Sequence, residues 1–280
     1  MIRFPIAKIN LGLNVVERRP DGYHNLETVF LPVRIIDELE VTPMDETAHS
    51  TVDCTLIVRP IGGMKIDCDA QQNLVVKAYN LLKHDFQELP RVCATLHKRI
   101  PTQAGMGGGS SDGACMLSLL NSLFSLDLSQ QQLIDYAARL GADCPFFIIN
   151  RPAYAEGIGE KLHPIDLDFK NWYLAVVRPN IPVSTKEAFS LITPQKPTKN
   201  CRDIVMQPIE TWRDELVNDF EQSVFALHPE IAAVKQRLYD MGATYAAMSG
   251  SGSAVFGFFK EPIELNAEFE NMFVSVVKIE

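Results

Sequence analysis

The 280-residue sequence predicts a protein of mixed α-helices and β-strands, because two kinds of periodicity alternate along it. Apolar residues occupy every second position from Ile9 to Val15 and again from Val92 to Leu96, as in strands with one buried face. Segments 114–124 and 133–140 instead place apolar residues at helical spacing. The length suits either one large domain or two of ordinary size.

Composition and charge indicate a globular protein that does not bind nucleic acid. Hydrophobic residues make up 46% of the chain and charged residues 22%, and the net charge is −9 with no basic stripe. No apolar run approaches the roughly 18–20 residues of a membrane span, and no apolar signal region is visible. We therefore expect a cytoplasmic protein with no membrane partner.

Cysteines and histidines show no metal-binding pattern. No two cysteines form a Cys-x-x-Cys pair, and the six histidines are scattered, so we expect reduced thiols and no zinc site. The cysteines are Cys54, Cys68, Cys93, Cys115, Cys144 and Cys201.

The first strand carries Lys8 and Asn10, which are two residues apart and therefore share a face. A half-buried strand usually turns such side chains to solvent, and this is the structural alternative to a functional role.

Residues 19–22, Arg-Pro-Asp-Gly, are predicted to form a turn. Proline presets φ, aspartate bonds to the nearby backbone, and glycine adopts backbone angles that other residues avoid.

Helix boundaries are indicated at three further places. Asn73 precedes an amphipathic segment, and asparagine is a preferred N-cap residue, so local structure alone explains it. The helix over 133–140 ends at Gly141, a natural residue beyond a helix C-terminus. Asp143 then stands two residues before Pro145, which is typical of the N-cap of a short following helix.

A glycine-rich loop over residues 101–112 connects the strand near Leu96 to the helix that follows. Four glycines in five positions let the backbone approach a ligand, and the free N–H groups of the first helical turn favour an anion. The loop is not a Walker A loop, because Ser110 and Ser111 stand where that motif has Gly-Lys. It is not the dinucleotide fingerprint, because Ser110 replaces the last glycine. The loop predicts phosphate binding; the structural alternative is a flexible loop with Ser110, Ser111 or Asp112 as N-cap.

The C-terminal half predicts a buried strand over 172–177 and a polar surface loop over 190–209. A second small-residue loop, over 248–257, leads into an apolar strand. Such loops are common, so this one alone says little about function.

The loop sequence Pro-x-x-x-Gly-x-Gly-Gly-Gly-Ser-Ser-Asp resembles the nucleotide-binding motif of the GHMP kinases, the family of galactokinase, homoserine kinase, mevalonate kinase and phosphomevalonate kinase. The resemblance implies that the loop wraps the triphosphate of ATP and that Asn73 lies beside the adenine. It extends from about Pro5 to Phe258, and Met106 replaces a common leucine of similar volume. The implied ATP-binding residues are Asn73, Pro101, Thr102, Gln103, Ala104, Gly105, Met106, Gly107, Gly108, Gly109, Ser110 and Ser111.

Two further segments are similar to those of GHMP kinases that phosphorylate a cytidine-diphosphate-linked polyol. Pro-Ile-Ala-Lys-Ile-Asn-Leu at residues 5–11 implies that Lys8 and Asn10 lie at the reacting hydroxyl. Leu-Gly-Ala-Asp-Cys-Pro-Phe-Phe at residues 140–147 implies that Asp143 is the catalytic base. Capping and catalysis by the same aspartate are compatible.

Substrate selection is implied by two more matches. Asp-Gly-Tyr-His at residues 21–24 resembles a signature of the same kinases and implies that Tyr23 and His24 contact cytosine. An aromatic face can stack on a base, and an imidazole can hydrogen-bond its edge. The segment 181–189 is similar to one that covers the substrate, which implies roles for Thr185 and Phe189, although Phe189 also suits a plain core position.

As a whole, the resemblance implies an α+β, two-domain GHMP kinase fold. The implied domains are 1–157, like the second domain of ribosomal protein S5, and 158–280, which is ferredoxin-like. The implied reaction transfers the γ-phosphoryl group of ATP, with Mg²⁺, to the 2-hydroxyl of the polyol in the non-mevalonate route to isoprenoid precursors. Asp143 would accept the hydroxyl proton while Lys8 keeps it ionised, and the Mg²⁺ ligands stay open.

Three other functions are considered. The chain could phosphorylate a sugar, an amino-acid alcohol or a mevalonate derivative, or it could be an ATP-dependent decarboxylase of the same fold. The Asp-Gly-Tyr-His signature argues against both. A nucleotide-binding sensor without turnover is the third, and the presence of both Lys8 and Asp143 argues against it.

Overall fold

The structure, a computed structural model, describes residues 1–45, 52–62 and 69–279. Contacts divide the chain into two compact units, and each unit is assembled from several separate stretches of sequence. Unit 1 comprises Met1–Ala7, Ile35–Thr102 and Gly107–Asn150. Unit 2 comprises Lys8–Arg34, Gln103–Met106 and Arg151–Glu280. The expected division between residues 157 and 158 stays a prediction.

The described residues contain both strands and helices, in mixed order. The strands are β1 (Ile2–Arg3), β2 (Ile6–Arg18), β3 (His24–Ile36), β4 (Glu38–Pro43), β5 (Cys54–Pro60), β6 (Val92–Lys98), β7 (Ala153–Gly157), β8 (Lys161–Pro164), β9 (Tyr173–Arg178), β10 (Tyr245–Met248), β11 (Val255–Phe259) and β12 (Phe273–Lys278). The α-helices are α1 (Leu74–Asp85), α2 (Gly108–Leu123), α3 (Gln130–Leu140), α4 (Cys144–Ile149), α5 (Thr185–Phe189), α6 (Cys201–Val205), α7 (Phe220–Leu227) and α8 (Pro229–Asp240).

Unit 1 packs helices α1 to α4 around a four-stranded sheet in the order β1-β4-β6-β5, in which only β5 and β6 pair in parallel. Burial along β6 alternates as the sequence predicts, with Val92, Ala94 and Leu96 in the core. Lys98 occupies the fourth buried position of that alternation. The strand therefore delivers an ammonium group to the inner face of the sheet.

Unit 2 contains two four-stranded sheets, in the orders β2-β3-β7-β8 and β10-β11-β9-β12. Helix α8 packs on β10 and β11, and α7 packs on α8. Strand β2 departs from the predicted half-buried pattern, because every residue from Ala7 to Val15 is buried. The polar side chains of β2 are thus enclosed by protein, which requires partners for each of them.

Helix starts only partly follow the prediction. The N-cap role of Asn73 is confirmed, since its Oδ1 accepts from the Val75 N–H at 2.9 Å. The proposed caps Ser110, Ser111 and Asp112 are wrong. Helix α2 begins at Gly108, and its N-cap is Gly107, which has a left-handed backbone and no side chain to bond. A glycine took the cap because the chain enters this helix with φ of +66°.

No helix in the described ranges is long and apolar enough to cross a membrane. All five described cysteines are free thiols, and Cys68 lies outside the described residues. In the same ranges, no group of three or more His, Cys, Asp or Glu side chains is placed to hold a metal ion.

Candidate active site

Lys8 and Asn10 form a buried polar pair on β2, with 4% and 2% of their surfaces exposed. Lys8 Nζ donates to Asn10 Oδ1 at 2.6 Å, and Asn10 Nδ2 donates to Thr28 Oγ1 at 2.9 Å. The Thr28 hydroxyl in turn donates to the Gly12 carbonyl at 2.6 Å. These bonds fix the Asn10 amide with its oxygen toward the ammonium. The solvent-exposed interpretation of this face is therefore wrong.

Two further contacts hold the Lys8 residue. Its Nζ lies 4.8 Å from the centroid of the Phe30 ring, within the range of a cation–π interaction. Its backbone N–H donates to the Met106 carbonyl in the glycine-rich loop at 3.0 Å. The strand that carries the ammonium is thus bonded directly to the loop.

Ser249, in the second small-residue loop, joins the same two elements through its side chain. Its Oγ accepts from the Asn10 N–H at 3.2 Å and donates to the Gly105 carbonyl at 2.9 Å. A Cβ on Gly105, whose φ is +69°, would lie 1.8 Å from the Ser249 carbonyl oxygen. The two loops touch backbone to backbone, which only a glycine at position 105 permits.

The segment 218–221 orders the Ser249 loop. Asn218 Nδ2 donates to the carbonyls of Met248 and Gly250 at 2.7 and 2.9 Å. Glu221 accepts from the Met248 N–H at 2.8 Å and pairs with Lys235 at 2.6 Å. Burial raises the pKa of the Glu221 carboxyl, and the nearby ammonium opposes that rise. The sequence indicated the small-residue loop but not the bonds of Ser249 and Asn218, because their partners lie at remote positions in the chain.

The predicted ATP-binding residues of the loop differ widely in exposure. Pro101, Ala104, Met106, Gly108 and Ser111 are buried, whereas Gln103 and Gly109 are exposed. Thr102, Gly105, Gly107 and Ser110 are half-buried. The first N–H groups of α2 lack partners within the helix, as at every helix start, and are available to an anion.

A cluster of buried charges, which sequence analysis did not predict, lies at the ends of this loop in unit 1. Lys98 Nζ contacts the carboxylates of both Asp37 and Asp112, the latter at 2.9 Å. Asp37 also accepts from the N–H groups of Arg99 and Ile100 at 2.5 and 2.8 Å. We call Asp37, Lys98 and Asp112 the loop clamp.

The clamp residues perturb one another strongly. Burial pulls the pKa of Lys98 down, but Asp112 and Asp37 outweigh it and hold that pKa above its ordinary value. Burial raises the pKa of Asp112 to about 7, with Asp37 adding to the rise and Lys98 opposing it. At neutral pH the clamp therefore exists in two protonation states.

Asp143 stands at the N-cap position of α4, where it is half-buried. Its carboxylate makes no capping hydrogen bond to that helix, and Pro145 occupies the first turn. Capping therefore does not explain this aspartate. The following residue, Cys144, is buried; burial raises the pKa of its thiol to about 11, and a hydrogen bond with Ser110 opposes the rise.

Among the predicted substrate residues, His24 and Phe189 lie together in unit 2. Their rings stack at 4.5 Å with an interplanar angle of 21°, and Phe189 also meets the Phe220 ring edge-on at 4.7 Å. Tyr23 is exposed, and Thr185 is the exposed first residue of α5. Burial, with Arg18 nearby, lowers the pKa of His24. The imidazole is thus neutral at pH 7.

Two family models match parts of the chain. Residues 73–151 match the model of the GHMP kinases N terminal domain, and residues 203–273 match that of the GHMP kinases C terminal domain. The first match includes the glycine-rich loop and Asp143, and the second includes the Ser249 loop.

Curated relatives and solved structures resemble the chain over most of its length. The chain is 51% identical to 4-diphosphocytidyl-2-C-methyl-D-erythritol kinase of Bacteroides fragilis, over 92% of both chains. It is 48% identical to the enzyme of that name from Parabacteroides distasonis, over 94% of this chain and 93% of the other. A crystal structure of 4-(cytidine 5'-diphospho)-2C-methyl-D-erythritol kinase covers 100% of both chains with a TM-score of 0.81 and 31% identity. Homoserine kinase from Cytophaga hutchinsonii, at 15% identity and a TM-score of 0.65 over 97% of this chain and 93% of the other, shares the fold.

Proposed function

This chain belongs to the GHMP kinase family, and from that premise we infer that it phosphorylates the 2-hydroxyl of 4-diphosphocytidyl-2-C-methyl-D-erythritol with ATP. The observation that carries this function is similarity along nearly the whole chain to kinases of that name. The expected two-domain GHMP kinase fold of mixed helices and sheets is confirmed by the same comparisons. The reaction belongs to the non-mevalonate route to isoprenoid precursors.

ATP is proposed to bind with its phosphates along Gly105–Ser111 and its adenine beside Asn73. Support comes from the helix start at Gly108, whose free N–H groups and dipole favour an anion. Several such groups acting together are needed, because one helix dipole contributes only about 0.3–1 kcal/mol.

Mg²⁺, when bound with ATP, would supply positive charge against the charge that develops on the phosphates during transfer. The described residues contain no preformed cluster of three acidic or imidazole ligands. That fits an ion which keeps several waters and takes most of its ligands from phosphate. Asp143 is the acidic residue in the matching motifs that is suited to assist it.

Lys8, Asn10 and Asp143 are proposed to act at the reacting hydroxyl. Asp143 would accept the hydroxyl proton, a role typically worth about 10²–10⁴ in rate. The Lys8 ammonium would stabilise the attacking oxygen, and Asn10, oriented by Thr28, would align it. Phosphoryl transfer requires mainly positioning and charge stabilisation, which these groups supply.

Tyr23, His24, Thr185 and Phe189 are proposed to select the cytidine group. A neutral imidazole offers one donor and one acceptor, as the edge of a base requires. The aromatic faces of Tyr23 and Phe189 suit stacking on the ring.

We further propose a cytoplasmic location, where ATP is available and free thiols stay reduced.

An ADP-release assay tests the function with matched alcohols. The purified chain is supplied with Mg²⁺-ATP and, separately, the cytidylyl polyol, the same polyol phosphate without cytidine, homoserine, mevalonate and galactose. We expect phosphorylation of the cytidylyl compound alone, with the new phosphate ester located at the 2-position by ³¹P NMR. Preference for another alcohol, release of CO₂ from mevalonate diphosphate, or no turnover with any of them would contradict the proposal.

A further inference from the structure

The loop clamp ties together the two ends of the glycine-rich loop. Asp37 bonds the backbone of Arg99 and Ile100 immediately before the loop, and Asp112 is the fifth residue of α2 immediately after it. Lys98 Nζ bridges the two carboxylates. All three clamp residues are buried, with at most 3% of their surface exposed. The distance between the loop ends is therefore set by this cluster.

Gly108 shows how closely the helix start contacts the clamp. A Cβ at this position would lie 2.9 Å from Lys98 Nζ and 2.8 Å from Ile100 Cγ2. Any side chain here would push the ammonium away from its partners or move the helix. The first residue of α2 is therefore packed directly against the clamp.

The clamp has an excess of negative charge when both carboxyl groups are ionised, because two carboxylates share one ammonium. Asp112 Oδ1 is buried and has no hydrogen-bond partner within the part of the chain that the structure describes. A buried carboxylate oxygen without a partner is strongly disfavoured in the ionised form. Protonation of Asp112 removes the excess charge and leaves a neutral carboxyl group, which costs less to bury than an ionised one.

Few other ionisable groups face Asp112. Cys115, one turn farther along α2, has its thiol pKa raised to about 12 by burial and by Asp112, with Arg3 of β1 opposing. The Cys144 thiol of α4 bonds Ser110 and is also neutral, and α1 presents Leu74 to this helix at Gly113. The clamp residues therefore control the proton on Asp112.

We propose that Asp112 takes up a proton from solvent when a nucleotide binds the glycine-rich loop, so that the clamp becomes neutral beneath the incoming phosphates. The inference depends on the proposed function for the identity of the anion. From Gly108 to Asp112 the helix rises by about 6 Å, so phosphate at the helix start lies within roughly 10 Å of the carboxyl. One negative charge at that distance shifts a pKa upward by about one unit at an effective dielectric constant of about 20.

Linkage fixes the direction of the pH effect. If nucleotide raises the proton affinity of Asp112, protonation raises nucleotide affinity by the same factor. Affinity is therefore highest below pH 7 and falls as the pH rises through 7 and 8. With a shift of about one unit, binding at pH 7.5 takes up about half a proton.

Calorimetry of ADP and Mg²⁺ binding tests this with wild type and Asp112→Asn, which retains the shape of a neutral carboxyl. Titrations at pH 7.5 in two buffers of different ionisation enthalpy give the number of protons taken up. Subtracting the variant removes the ionisation of the nucleotide itself. We expect about half a proton more for wild type, and between pH 6.5 and 8.5 a loss of affinity about fivefold larger for wild type than for the variant.

The outcomes separate this inference from the function. Nucleotide binding with equal proton uptake in both proteins overturns the inference alone. Absence of nucleotide binding by wild type overturns the function and the inference together. Should the variant fail to fold, nucleotide-induced infrared difference spectra of wild type give the answer: a new carbonyl band of a protonated carboxyl group supports the inference, and its absence overturns it.

Discussion

Two buried lysines, one in each unit, differ in the contacts that hold them. Lys98 in unit 1 bridges two carboxylates, one of which also binds two backbone N–H groups. Lys8 in unit 2 donates to the neutral amide of Asn10 and faces the Phe30 ring, and Thr28 holds that amide in place. The first environment fixes a cation between two carboxylates; the second includes an amide that orients the cation and a ring that faces it. Burial of a lysine is thus not by itself a sign of catalysis.

The largest expected effect is the loss of stability when Lys98 is replaced. Lys98→Met leaves two buried carboxylates without their cation, so the free energy of unfolding should fall by about 3–5 kcal/mol. Lys83→Met is the matched control, because half-buried Lys83 bonds only the carbonyls of Gln87 and Leu89 among its described contacts and should lose less than about 1 kcal/mol. Urea denaturation measures both. Equal losses would remove the structural role assigned to Lys98.

The second test measures turnover in addition to stability. Lys8→Met should lower kcat by about 10²–10³, the typical effect of removing a donor to a developing oxyanion. Its unfolding free energy should fall less than that of Lys98→Met, since the amide left behind in Asn10 is neutral. Turnover and denaturation are measured on the same preparations. A stable, fully active Lys8→Met enzyme would break the comparison.

The third test concerns the bonds between strand β2 and the glycine-rich loop. Ser249→Ala removes an acceptor from the Asn10 N–H and a donor from the Gly105 carbonyl, so KM for ATP should rise by about fivefold, or about 1 kcal/mol. Ser253→Ala, in the same loop and equally buried, loses only a 3.4 Å contact with the Pro179 carbonyl and serves as control. Similar KM values for the two variants would argue against a specific role for Ser249.

The smallest effect is expected at the aromatic pair of unit 2. Phe189→Leu removes a ring that stacks on His24, and KM for the cytidylyl substrate should rise by about 2–10-fold, or about 0.5–1.5 kcal/mol. KM for ATP should not change. Phe225→Leu, a partly buried ring in the core of the same unit, is the control. A rise confined to ATP would place the residue elsewhere in the mechanism.

Local patterns predicted the loop, the strand bearing Lys8 and the cap at Asn73, because each depends on neighbouring residues. They failed where distant parts of the chain decide the structure. Asp37 and Lys98 are 61 residues apart, so neither signals the clamp. Asp112 was interpreted as a cap, because its position near a helix start suits that role and its buried partner is invisible in sequence. The family resemblance supplied the candidate roles of Lys8 and Asp143, which periodicity alone assigned to an exposed face and a cap.

The most direct measurement compares turnover and nucleotide affinity in Asp143→Asn. Because this carboxylate makes no capping bond to α4, the substitution should leave the fold and the Kd for ADP with Mg²⁺ largely unchanged. Turnover of the cytidylyl substrate should fall by about 10²–10⁴, the contribution of a general base. A variant that keeps wild-type kcat, or that loses activity only because it no longer binds nucleotide, would contradict the assignment of Asp143 as the base.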